Sequence, residues 1–125
     1  MALYLSRLEL QARLHLGKEA EQWLGHADEG EYTVIKWLYL AQEDRHQYSV
    51  TYMESFDEGD EDWQHVPEFS LLDPDAEENT AFDSVEEAVA YAVQTYGASP
   101  DRFVAGGMLA EEYARYWQSK NTSIK

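Results

Sequence analysis

The stretch Ser84–Gly97, SVEEAVAYAVQTYG, decides how the rest of the chain is read. Val85, Ala88, Val89, Ala92, Val93 and Tyr96 recur at i, i+3, i+4, i+7, i+8 and i+11, which places them on one face at the helical period. Ser84 is suited to cap the first turn, and Glu87 stands three residues on, as in a capping box. Gly97 supplies a left-handed stop and Pro100 prevents continuation. The alanines and valines of that face are small. Such a helix packs closely against a flat partner, and a flat partner in a chain of this size is a sheet.

Upstream of the helix the sequence offers three strands. Over 32–42, Val34, Leu38 and Leu40 share one face and Ile35, Trp37 and Tyr39 the other, as expected of a central strand covered on both sides. EDRH, 43–46, is a polar turn. Over 46–56, Tyr48, Val50, Tyr52 and Phe56 alternate with Ser49, Thr51, Met53 and Ser55, which predicts one face in and one mostly out. The acidic loop DEGDED, 57–62, reverses the chain. A third strand is read over 63–72, where Pro67 cannot donate to a ladder and argues for an edge or a bulge. DPDAEENTAFD, 73–83, reads as a solvated connection.

The N-terminal residues are ambiguous. Leu8, Leu10, Ala12, Leu14 and Leu16 alternate as in a strand, yet Leu, Glu, Gln, Arg and Ala favour helix. Leu5, Leu8, Ala12 and Leu16 also fit one helical face, and a helix over about 3–15 is expected. Gly17 breaks it. KEAEQWLG, 18–25, then reads as a second short helix turning Ala20, Trp23 and Leu24 inward, and HADEGE, 26–31, as a turn. At the other end, SPDR at 99–102 has a cap-and-proline start. A short helical turn carrying Phe103 and Val104 is expected there, then a break at Gly106-Gly107. A last helix over about 108–118 has Leu109, Tyr113, Tyr116 and Trp117 on one side. The fold class expected is α+β: a three-stranded antiparallel meander packed by helices, with an N-terminal helical segment. Residues 1–118 form a single globular domain in this reading, and 119–125 a flexible tail.

Composition bounds the function more than any motif. The 125 residues are 44% apolar and 14% aromatic, enough to bury a core. The absence of cysteine excludes disulfides, thiolate metal sites and a Cys nucleophile. No apolar run approaches the ~18 residues that span a bilayer. Charges interrupt the leucines of MALYLSRLELQ at once, unlike a signal peptide. A cytoplasmic protein is expected. Twenty-five acids against nine bases give a net charge of −16. Between Arg45 and Arg102 there is no Lys or Arg, while fifteen acids fall there. Such a field repels nucleic acid and anionic lipid and attracts basic surfaces.

No residue pattern names a reaction. His15, His26, His46 and His65 are scattered and form no metal-binding spacing. Asp57, Asp60 and Asp62 with Gly59 suggest calcium, but the spacing does not match an EF-hand loop. Asp73, Asp75 and Glu77 lack the turning glycine. No carboxylate pair is singled out for acid–base work, and no glycine-rich phosphate loop is present. No catalytic residue, metal ligand or cofactor is therefore assigned. What remains is acid with aromatics among it: Tyr52, Phe56, Trp63 and Phe69 beside an acid-rich run. Aromatic anchors ringed by charge give interfaces both affinity and fast encounter. The partner-binding residues expected are Glu54, Asp57, Glu58, Asp60, Glu61, Asp62, Trp63 and Glu68. For each aromatic the competing reading is a place in the core, and Trp63, directly after the acidic turn, is the one most expected outside it.

Acidic, cysteine-free and without a catalytic motif, the chain resembles in overall character the immunity proteins of bacterial toxin–immunity systems. The resemblance implies a one-to-one complex with a basic partner, such as a nuclease toxin domain, in the cytoplasm. It carries over no individual residue. Three other classes stay open: a nucleic-acid mimic with a regular array of carboxylates, a metal-dependent hydrolase using the clustered acids, and a regulatory domain that self-associates through an aromatic-rich sheet.

Overall fold

Four consecutive antiparallel strands make the frame on which the helices lie. They are β1 (Ala20–Asp28), β2 (Thr33–Asp44), β3 (Gln47–Phe56) and β4 (Glu78–Phe82). A two-residue strand, β5 (Val104–Ala105), pairs with β1 and completes the order β4-β3-β2-β1-β5, antiparallel throughout. The structure, a computed structural model, describes residues 4–45, 47–59, 66–72 and 78–122. Three helices accompany the sheet: α1 (Arg7–His15), α2 (Val85–Tyr96) and α3 (Leu109–Thr122). The class is α+β, with five strands where three were expected.

The sheet is covered on both faces. Leu38, Leu40, Tyr48 and Val50 pack with Leu10 and Leu14 of α1 and with Val85, Ala88, Val89 and Ala92 of α2. On the other face Ile35 and Trp37 pack with Leu109 and Tyr113 of α3 and with Val66 and Phe69 around a 3-10 turn, Val66–Glu68. The two-sided pattern of β2 is thereby explained. The second face of β3 is also closed: Ser49, Thr51 and Ser55 are buried rather than solvated. Each is satisfied, as buried polar groups must be. Ser49 donates to Glu43, Thr51 accepts from Asn79 and Ser55 accepts from the Trp37 indole N–H.

Helix α2 follows its sequence closely. The Glu87 backbone N–H donates to Ser84 Oγ at 3.1 Å, and Gly97 closes the helix at φ 72°. Tyr96 stacks on Tyr52 of β3 with centroids 4.6 Å apart, and Tyr91 leans on Phe82 of β4. The reciprocal capping box belongs to α1. There Glu9 N–H donates to Ser6 Oγ and Ser6 N–H to Glu9 Oε1. The Ser6 backbone bond holds the Glu9 carboxyl below its ordinary pKa. That cap fixes where α1 begins, and packing turns Leu10 and Leu14 toward the sheet. Leu8 and Leu16, expected inside, are 78% and 70% exposed, and Ala12 is exposed too.

Four further expectations are corrected. Residues 20–25, read as helix, belong to β1: Glu, Gln, Leu and Ala favour helix, but β2 and β5 pair with this segment on both edges, and tertiary pairing overrides propensity. Residues 66–68, read as part of a third strand, form the 3-10 turn, and the segment touches the sheet through a Ser55–Leu71 bridge. Strand β4 lies inside the stretch taken for a solvated connection. Val104, expected in a helical turn, lies in β5. Helix α3 buries Leu109 and Tyr113 as expected and runs on to Thr122, past its expected end at 118.

Candidate functional site

In an up-and-down meander, the β1–β2 turn and the segment leaving β3 fall at one end of the sheet. Val34 pairs with Phe56, and Asp57 N–H donates to Thr33 carbonyl at 2.9 Å. The turn is tight: Gly30 N–H donates to Asp28 Oδ1, and Glu29 N–H to the Tyr32 carbonyl. Asp28, Glu29 and Glu31 are thus brought beside Asp57 and Glu58. The first three and Glu58 are exposed. Tyr32, 45% exposed, stands among them with its ring edge-on to Phe56. The basic residues Arg13, Lys18 and Arg45 lie at the opposite end, near the start of β1 and the β2–β3 turn. Glu19, Glu43, Asp44 and Asp83 lie at that end as well, so acids stand at both ends of the strands.

The carboxylates expected to bind a partner are largely engaged within the chain. Asp57 accepts the Tyr113 hydroxyl at Oδ1, 2.5 Å away, and the Tyr116 hydroxyl at Oδ2, 2.9 Å away. Glu58 accepts the Ser70 backbone N–H. Glu54, opposite Lys36 in the register, accepts the Tyr52 hydroxyl at 2.7 Å. Glu68 is exposed on the 3-10 turn. Asp60, Glu61, Asp62 and Trp63 lie outside the described residues, as do His46 and His65. Of the aromatics, Phe69 is a core residue, while Tyr52 and Phe56 are half-buried.

The Asp57 brace joins the acidic end to α3. Tyr116 also meets Trp23 at 5.3 Å and His26 at 4.6 Å between ring centroids. Trp23 and His26 differ by three in sequence, so strict alternation would put them on opposite faces. A bulge between Trp23 and Gly25 shifts the register by one, and Gly25 takes φ 138° there. Both rings then face α3. Burial, the hydrogen bond to Asp57 and its negative charge all push the Tyr113 and Tyr116 phenols far above their ordinary pKa. Both stay protonated donors at neutral pH, which suits bracing and does not suit proton abstraction.

Sequence reasoning missed Asp28, Glu29, Glu31 and Tyr32 as members of this end. The signal was the meander itself, lost when 18–25 was read as helix, which left HADEGE without a hairpin to belong to. Among the described residues no group of three or more His, Cys, Asp or Glu is placed to hold a metal ion. None of the described helices is long and apolar enough to cross a membrane. Comparison with protein-family profiles, with curated proteins and with solved structures finds no match to this chain.

Proposed function

We propose that this protein is an acidic binding module that inhibits a basic protein partner, and that it acts as an immunity protein toward a nuclease-type toxin domain. The observation that carries this reading is the gathering of Asp28, Glu29, Glu31, Asp57 and Glu58 around the exposed ring of Tyr32 at one end of the sheet. A nuclease surface is cationic because it must hold phosphates, and blocking it requires only complementary charge and an anchor. The Tyr113–Asp57–Tyr116 brace ties this end to α3, which reduces the ordering that binding must supply.

Affinity capture from native cells at low and at high salt tests it. A basic partner retained at low salt and released at high salt is the expected result, and its retention should fall in a Glu29→Gln, Glu31→Gln, Tyr32→Ala variant. Capture of no cationic protein at either salt, or binding indifferent to that variant, rejects the reading. A second reading, self-association, is favoured by the exposed Leu8 and Leu16 of α1. Light scattering decides it, since it requires a dimer that Leu8→Glu dissociates.

A further inference from the structure

We propose that the hollow between α1 and the first turn of α2 is a binding site for a small organic cation, an amine or guanidinium. It lies at the far end of β3 from the acidic turn and does not depend on the inhibitor reading. The hollow is an open depression of about 340 Å³, a size at the lower end of that of small-molecule sites. Gln11 and His15 of α1, Tyr48 of β3, and Asp83, Ser84 and Glu86 at the start of α2 line it.

What marks this hollow is unused polar capacity. Tyr48 is only 7% exposed, and its side-chain hydroxyl has no hydrogen-bond partner among the described residues. Its oxygen is nevertheless not sealed: the sealed, unpartnered side-chain polar atom among the described residues is Arg13 Nε. The Tyr48 hydroxyl thus keeps some access to solvent, and Tyr48 lines the hollow. A buried tyrosine ordinarily finds a partner for that group. Gln11, His15, Asp83 and Glu86 likewise have no side-chain hydrogen bond or ion pair among the described residues. Asp83, Glu86 and His15 are exposed, so the buried and unpartnered Tyr48 hydroxyl is what distinguishes the hollow.

The sign of the ligand follows from charge. The N-terminus of α2 offers about half a positive charge, and Ser84 Oγ already takes one of its free N–H groups. Asp83 and Glu86 place two full negative charges at the same turn, and they prevail. Arg7 lines an adjoining smaller hollow with Gln11 and Glu86 but forms no ion pair with Glu86. A cation seated between Asp83 and Glu86 would present a neighbouring donor or acceptor to the Tyr48 hydroxyl and the Gln11 amide.

Two-dimensional ¹H–¹⁵N spectra of the full chain, titrated with agmatine, test this, with putrescine and inorganic phosphate as parallel arms. The expected result is saturable shifts at residues 11, 15, 48 and 83–86, with a Kd of about 1 mM or tighter. Tyr48→Phe, which keeps the ring in the core, and Glu86→Gln, at an exposed position, should each weaken binding about fivefold or more. Putrescine binding as well as agmatine identifies the amine as the recognised group, and agmatine alone identifies the guanidinium. Absence of localised shifts, shifts spread equally over Asp28, Glu29 and Glu31, or tighter binding of phosphate than of either cation overturns the proposal.

Discussion

At the scale of residues, Asp57 shows how a surface-coded acid becomes a structural one. It sits in an acid-rich run, but two phenols from α3 donate to its two oxygens. The consequence is a defined dependence on alkali. Tyr113 and Tyr116 have folded pKa values raised above the unfolded value of about 10. A raised folded pKa contributes stability that is complete below the unfolded pKa and is lost as pH rises beyond it. The urea midpoint is therefore expected to hold level through pH 8 and 9 and to fall steeply above about pH 10. In a Tyr113→Phe, Tyr116→Phe variant that alkaline fall becomes shallower, while the midpoint at pH 8 drops because Asp57 loses the two phenol donors. An unchanged alkaline slope would mean the brace does not form in solution.

At the scale of elements, β1 is the piece that joins everything. Glu21 is buried, and its Oε1 accepts the backbone N–H groups of Gly107 and Leu109 at 3.0 and 3.1 Å, capping α3 from another element. Gln22, on the opposite face, donates to the Ser99 carbonyl and accepts the Ser99 N–H at 2.9 and 2.8 Å, so its amide acts as a length of strand for the loop after α2. These contacts bridge residues far apart in sequence, and their removal leaves buried groups without partners. Glu21→Ala should cost about 1–3 kcal/mol by urea denaturation. Ser84→Ala, which removes an exposed local cap from α2, should cost about 1 kcal/mol. If Ser84→Ala proves the more costly of the two, β1 does not hold α3 as described.

At the scale of the whole molecule, the net charge of −16 works against the compact state while serving recognition. Added sodium chloride shortens the Debye length to about 10 Å at 0.1 M, so the urea midpoint at neutral pH is expected to rise with salt while partner affinity falls. The Glu29→Gln, Glu31→Gln pair should move the two quantities in opposite directions, toward higher stability and weaker binding. A midpoint indifferent to salt and to this pair would show that the acids at the β1–β2 turn do not repel one another.

The local signals in the chain were sufficient for some elements and not for others. Ser84 to Gly97 carries its cap, its apolar face and its stop within one short stretch, so α2 was legible, as were the two faces of β2 and the inward side of α3. Residues 20–25 carry helix-favouring side chains, and only pairing with β2 and β5 makes them a strand. Leu8 and Leu16 repeat at helical spacing, but packing on the sheet decided which stripe of α1 is covered. The acidity was plain from composition. Its arrangement was not, because bringing Glu29 beside Glu58, or enclosing Tyr48 among Gln11, Asp83 and Glu86, requires contacts between residues distant along the chain. Such contacts are set by how the strands register and which way each helix is turned, and no window of sequence contains both partners.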